Sequence, residues 1–132
     1  MARFSHSGGI ELEGTSAGLR RLAAILRRVE DSIDCQLTVP ADRQARPYDG
    51  FLAKLRLDVT SGPMRICRDT QALRLEGSPD SFVALAHYLE FLVSSAPGPE
   101  AIQGQQLHVH VDYYEGHPFL SDEAEPLTIV LH

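Results

Sequence analysis

Leu73-Arg74-Leu75-Glu76-Gly77-Ser78-Pro79-Asp80 holds the end of a strand and the start of a helix within one short stretch. Residues 72–76 read as a strand closed by Gly77. Ser78 supplies a hydroxyl that caps a helix, and Pro79 suits the first helical position because its φ is preset. Asp80 puts a carboxylate at the positive end of the helix dipole. Downstream, Phe82, Leu85, Ala86, Leu89, Leu92 and Val93 recur at helical spacing, as a core-facing stripe requires. Val83, Tyr88 and Phe91 widen the stripe, and we read Tyr88 and Phe91 as buried in preference to a subunit contact. Pro97-Gly98-Pro99 ends the helix and opens a loop to Gln105.

The same order of signals occurs earlier in the chain. Residues 1–32 overlay residues 64–95 without a gap. Ile10-Glu11-Leu12-Glu13-Gly14 falls on Leu73-Arg74-Leu75-Glu76-Gly77, and Leu22, Ala23 and Leu26 fall on Leu85, Ala86 and Leu89. With small gaps, Gln36-Leu37-Thr38-Val39 resembles Gln106-Leu107-His108-Val109, and Pro47-Tyr48 resembles Pro118-Phe119. Leu55-Arg56-Leu57 likewise resembles Leu127-Thr128-Ile129. The chain reads as a single domain of two pseudo-repeats, 1–63 and 64–132.

Each half is expected to run strand–strand–helix–strand–strand. In the first, 3–7 is a weak strand and 9–13 a better one, and Thr15 or Ser16 caps a helix. Leu19, Leu22, Ala23, Leu26, Val29 and Ile33 form that helix's apolar stripe. A strand at 35–39 and a loop at 40–50 follow. Phe51, Ala53, Leu55, Leu57 and Val59 then alternate as one clean strand, and Ser61-Gly62-Pro63 closes the half. In the second half the strands are 64–68, 72–76, the histidine-bearing segment near the end, and 126–131. Strand pairs joined by short turns favour antiparallel pairing, and two helices cannot cover both faces of so wide a sheet. The expected fold is α+β, a curved antiparallel sheet with both helices on one face.

A chain of 132 residues buries about two thirds of the surface it would expose unfolded, enough for a substantial core. No apolar run approaches the roughly 20 residues of a membrane span, and the first residues lack the apolar core of a secretory signal. The expected compartment is the cytoplasm, with no membrane partner. A formal charge of −6 argues against nucleic acid as a partner and suits a basic protein, while also serving solubility. Cys35 and Cys67 are too few for a zinc knuckle or disulfide framework and read as small apolar residues in a reducing compartment.

Half of the six histidines fall in His108-Val109-His110-Val111-Asp112-Tyr113-Tyr114-Glu115-Gly116-His117-Pro118-Phe119-Leu120. Leu107, Val109, Val111 and Tyr113 alternate with His108, His110, Asp112 and Tyr114, the pattern of a half-buried strand. Tyr113 is assigned to the core side and Tyr114 to solvent. Glu115-Gly116-His117-Pro118 then turns the chain. Asp112, Glu115, Asp122, Glu123 and Glu125 surround Tyr113, Tyr114 and Phe119, an aromatic centre with an acidic rim suited to a basic protein.

Other chemistries are weaker. His108, His110 and Asp112 share one strand face and offer three metal donors, the basis of an alternative reading as a small metal-dependent enzyme. His-x-His-x-Asp also opens the metal-binding motif of the metallo-β-lactamase fold, but Tyr113 stands where that motif continues with histidine, and the chain is too short for that fold. His110 or His117 with Asp112, Glu115 or Asp122 offers acid–base chemistry, yet no nucleophile elbow, phosphate-binding glycine loop or cofactor fingerprint accompanies them. No catalytic residue and no cofactor is assigned. Arg20, Arg21, Arg27 and Arg28 form a basic helix face, read as solvated because Glu30, Asp31 and Asp34 follow closely.

The segment from His108 to Leu120, with Ser121 and Glu125-Pro126-Leu127, resembles the end of bacterial immunity protein 32 family members. That family ends in His-x-His-x-acidic-Tyr-aromatic, then His-Pro-aromatic-Leu, then a Pro-Leu strand. The strand ending in Gly77 before a helix fits as well; the resemblance covers mainly residues 73–131. It implies a cytoplasmic antidote, without catalysis, that binds and blocks a cognate secreted toxin domain, often a nuclease. On this basis His108, His110, Asp112, Tyr114, Glu115, His117, Asp122 and Glu123 are the candidate partner-binding residues, in a monomer or homodimer.

Overall fold

Both helices begin where their caps dictate. The computed structural model describes residues 1–5, 8–41, 49–95 and 107–131. Pro47-Tyr48, Pro97-Gly98-Pro99, Gln105 and Gln106 lie outside the described residues. Helix α1 spans Ser16–Leu26, and the Thr15 hydroxyl accepts from the Gly18 N–H at 3.1 Å. Helix α2 spans Pro79–Ser94, and the Ser78 hydroxyl accepts from the Ser81 N–H at 3.2 Å. At the strand–helix junction a Cβ on Gly77 would stand 3.0 Å from the Met64 Cα, so that position admits no larger residue without movement. No helix among the described residues is long and apolar enough to cross a membrane.

Around the helices run β1 (Ala2–Phe4), β2 (Ile10–Gly14), β3 (Ile33–Gln36), β4 (Gly50–Leu52) and β5 (Lys54–Val59). The second half contributes β6 (Arg65–Arg68), β7 (Ala72–Gly77), β8 (Leu107–Val111) and β9 (Leu127–Leu131). The α+β class is as expected. The single antiparallel sheet is not: there are two mixed sheets, ordered β4-β1-β2-β9-β8 and β3-β5-β7-β6. In the first, β2 pairs parallel with β9; in the second, β5 pairs parallel with β7. Short turns hold the chain neighbours β1–β2 and β6–β7 antiparallel, and β8–β9 also pairs antiparallel, across a longer connection. Short turns place no such constraint on strands distant in sequence, of which β2–β9 and β5–β7 run parallel while β1–β4 and β3–β5 run antiparallel.

Three boundaries also differ. The apolar stripe of α1 stops at Leu26, with Val29 buried just beyond it, and Ile33 belongs to β3, where it is exposed. That strand starts two residues before the expected 35–39. The strand expected over residues 51–59 is two strands in different sheets, divided at Ala53. There the N–H groups of Ala53 and Lys54 both donate to the Gln71 carbonyl, at 2.8 and 3.1 Å.

One continuous core joins the two sheets and both helices, with Phe82, Leu85 and Leu89 of α2 and Leu19, Ala23 and Leu26 of α1 among its buried members. The helices pack against each other, and Arg27 spans them with a two-pronged ion pair to Glu90 at 2.6 and 2.8 Å. That pair is exposed to solvent and contributes little to stability.

Candidate functional site

Strand β8 lies at the edge of the five-stranded sheet, paired only with β9 among the described residues. Its alternation is as expected: Val111 is fully buried, and His108 and His110 are exposed on the other face. The two imidazoles meet edge to face, 5.0 Å between centroids, and His110 Nδ1 lies 3.1 Å from the Thr128 hydroxyl. Among the described residues no group of three or more His, Cys, Asp or Glu side chains is arranged to hold a metal ion.

Beyond Val111 the chain leaves the sheet, so the alternation does not continue. Asp112, Tyr113, Tyr114 and Glu115 are all exposed. The core position expected of Tyr113 is therefore corrected: it is 40 % exposed, beside 57 % for Tyr114. The cause lies in the partner strand. Val111 pairs with Leu127, the first residue of β9; before it, Pro126 turns its carbonyl to the Ile10 N–H of β2 and Glu125 gives its N–H to the Ile66 carbonyl, so neither continues the ladder with β8. Four consecutive side chains, two aromatic and two acidic, thus project into solvent.

The turn that follows is built around His117. Its backbone N–H donates to the Tyr114 carbonyl at 2.9 Å, and Gly116 at the third position has φ +82°, as a type II turn requires. The ring Nδ1 accepts from the N–H of Phe119 at 3.2 Å and of Leu120 at 3.0 Å. Burial pushes the His117 pKa below its ordinary value, favouring the neutral ring that makes these bonds. Tyr114 and Phe119 flank it at 4.6 and 4.7 Å between centroids. His117 therefore shapes the turn, whereas Phe119, offered by the sequence as part of an aromatic contact centre, is buried in the core.

Asp122 and Glu123 lie on the exposed segment that follows the turn. Residues 119–125 form a strap along β6, the edge of the four-stranded sheet. The Met64 N–H donates to the Phe119 carbonyl at 2.7 Å, Ser121 to Met64 at 2.8 Å, and Glu125 to Ile66 at 2.8 Å. The Ser121 hydroxyl accepts from the Glu123 N–H, closing a small turn that exposes both acids. Glu123 has a partial counter-charge in Arg65 at 3.7 Å. The structure thus brings Tyr114 against His117 and His108 against His110, and sets Asp122 and Glu123 on the neighbouring strap.

A groove beside this turn is absent from the sequence reading. It encloses about 550 Å³ and is walled by Pro63, Asp80, Ala84, Tyr88, Pro118 and Phe119, among others. Tyr88 and Phe119 meet edge to face at 5.4 Å. Tyr88 is half-buried, but Phe91, read as buried, is 70 % exposed on the outer side of α2. Tyr88 and Pro118-Phe119 each stood out in the sequence; only tertiary packing joins them.

Elsewhere most charges among the described residues are solvated or mutually paired, although the Glu125 Oε2 is buried without a hydrogen-bond partner. On the four-stranded sheet Arg56 lies 3.0 Å from both Asp34 and Asp58, and Arg74 lies 3.0 Å from Asp58. Arg20 and Arg21 are exposed on α1 and Arg28 just beyond its end, whereas Arg27 meets Glu90 of α2. Cys35 and Cys67 are free, and burial raises both thiols above their ordinary pKa.

No curated protein and no solved structure matches the chain. A family model described as Immunity protein 32 matches residues 9–45 and 72–132, reaching directly into the first half as well as the terminal segment. With most of its length matched, the chain belongs to the immunity protein 32 family.

Proposed function

We propose that this immunity protein acts in the cytoplasm, without catalysis, by binding the toxin domain of a cognate secreted protein and covering its active site. Family membership supports toxin neutralisation in general. The observation that carries the finer reading is the exposed run Asp112-Tyr113-Tyr114-Glu115 at the end of an edge strand. Aromatic rings with few rotatable bonds anchor interfaces at low entropic cost, and acidic neighbours speed encounter with a basic partner. The contact surface comprises His108, His110, Asp112, Tyr114 and Glu115, extended by Asp122 and Glu123 on the strap, with His117 fixing the turn. The partner is a basic toxin domain, nuclease being the first activity to assay, and the antidote works as a monomer or homodimer.

The test is co-expression with the variable C-terminal domain of a large secreted protein encoded beside this gene. The native chain should restore growth and bind the purified domain. Tyr114→Ala should retain the native melting curve while weakening binding by roughly 2 kcal/mol, about thirtyfold, through a faster off-rate. Loss of folding in Tyr114→Ala, with Glu115, Asp122 and Glu123 all replaceable at no cost to binding, would place the interface elsewhere.

A further inference from the structure

We propose that His117 is a pH-operated latch on the segment carrying Tyr114 and Phe119, holding residues 117–120 in their turn when neutral and releasing them when protonated. The latch belongs to the free protein and does not depend on which surface the toxin meets. It rests on the two backbone N–H groups, of Phe119 and Leu120, that donate to one ring nitrogen. A lone pair on Nδ1 is needed for both bonds. Imidazolium carries hydrogen on both nitrogens, so protonation at Nδ1 turns an acceptor into a donor facing two other donors. Both backbone groups then lose their partner at once.

The consequence reaches beyond the turn. Phe119 is the residue whose carbonyl accepts from Met64, and Ser121 returns a bond to Met64. Its ring also packs edge-on against Tyr88 of α2. Releasing residues 117–120 therefore loosens the start of the strap on β6, the aromatic wall of the groove and the support beneath Tyr114. The titratable groups around this site are Tyr114 and Glu115 on the turn itself, and Tyr88, with His87 and Asp80 farther along the groove, on α2. Arg65 and Glu123 flank the strap. Burial is the influence that sets the direction of the His117 shift, favouring the neutral ring. Acidification toward the range where histidine charges, below about pH 6.5, is the trigger.

Amide hydrogen exchange and ring titration of the full chain, followed by NMR between about pH 7.5 and pH 5, read the latch directly. After correction for intrinsic exchange, protection of the Phe119 and Leu120 amides should fall roughly tenfold or more in step with the His117 ring, while Leu73 and Ile129 keep theirs. His117→Asn places a side-chain oxygen where Nδ1 stands, as in an Asx turn, and cannot titrate. Its Phe119 and Leu120 amides should stay equally protected throughout. Constant protection in the native chain, a loss that does not follow the His117 titration, or the same loss in His117→Asn overturns the proposal. The native-chain comparison decides the matter if the variant fails to fold.

Discussion

The Nδ1 atom of His117 accepts two backbone N–H groups from a half-buried position, and burial lowers its pKa from the ordinary 6.5. In the unfolded chain the same ring takes up its proton near that ordinary value. Between the two values the unfolded state binds more protons, so stability rises with pH across that window. The contribution is complete above the unfolded value and is lost as pH falls through the folded one. Urea unfolding at a series of pH values should show this loss in the native chain relative to His117→Asn; parallel pH profiles for the two would count against it. The role of His117 was not legible in the sequence, because a histidine in a turn looks the same whether its ring meets a partner or its own backbone. The exposure of Tyr113 was not legible either: the ladder ends where Glu125 gives its N–H to the Ile66 carbonyl, a partner far away in sequence. The acidic residues also separate at this scale. Glu123 already has Arg65 as a counter-charge, whereas Glu115 has no ion-pair partner among the described residues. Glu115→Gln should therefore slow toxin association at low salt more than Glu123→Gln, with the difference fading as salt rises, in stopped-flow measurements.

At the scale of the element, the alternation of Phe51, Ala53, Leu55, Leu57 and Val59 suggested one strand and one inward face. The structure keeps that phase only from Leu55. Leu55 and Leu57 are almost wholly buried in the four-stranded sheet, but in β4 it is Leu52 that is fully buried, with Phe51 half-exposed beside it. The phase flips at Ala53, where the chain passes from one sheet to the other. Leu52 carried the signal, since an apolar residue in an outward slot is an anomaly; no local rule says that a strand changes sheets. Leu52→Ala should consequently cost about 2–5 kcal/mol in denaturant unfolding, close to Leu57→Ala, and more than Phe51→Ala. A larger loss for Phe51→Ala would restore the single-strand phase. The helices show the opposite case. Their caps, spacing and starts were readable because they depend on neighbours in sequence, which is the range over which hydrogen-bonded caps and amphipathic stripes act.

For the molecule as a whole, we read residues 1–63 and 64–132 as two copies of one unit that have exchanged strands within a single domain. Supporting this, the order β1-β2-β9-β8 becomes β6-β7-β5-β3 when each strand of one half is replaced by its counterpart in the other, and that is the four-stranded sheet read in reverse. The registers agree too: Ile10 pairs with Leu127 as Leu73 pairs with Leu55, matching the sequence overlay of Ile10 on Leu73 and Leu55 on Leu127. The overlay fails at one place. Ile33 opposite Leu57 corresponds to Val109 opposite Ile129, so β3 aligns with β8 differently from the proposed match of Gln36-Leu37-Thr38-Val39 with residues 106–109. Because each sheet takes its parallel pair from both halves, neither half contains a complete sheet. A cut between Ser61 and Gly62 spares the Met64 N–H that Phe119 accepts and tests the interlock. Fragments 1–61 and 62–132, expressed separately, should each lack a cooperative thermal transition, since hydrophobic faces left without their partner strands cannot offset the entropy of ordering. Mixed in equal amounts they should recover a single transition and the native circular dichroism spectrum, with a midpoint that rises with concentration as association demands. A fragment that folds cooperatively alone, and is unchanged by adding the other, would show that its half carries its own sheet and that the two have not exchanged strands.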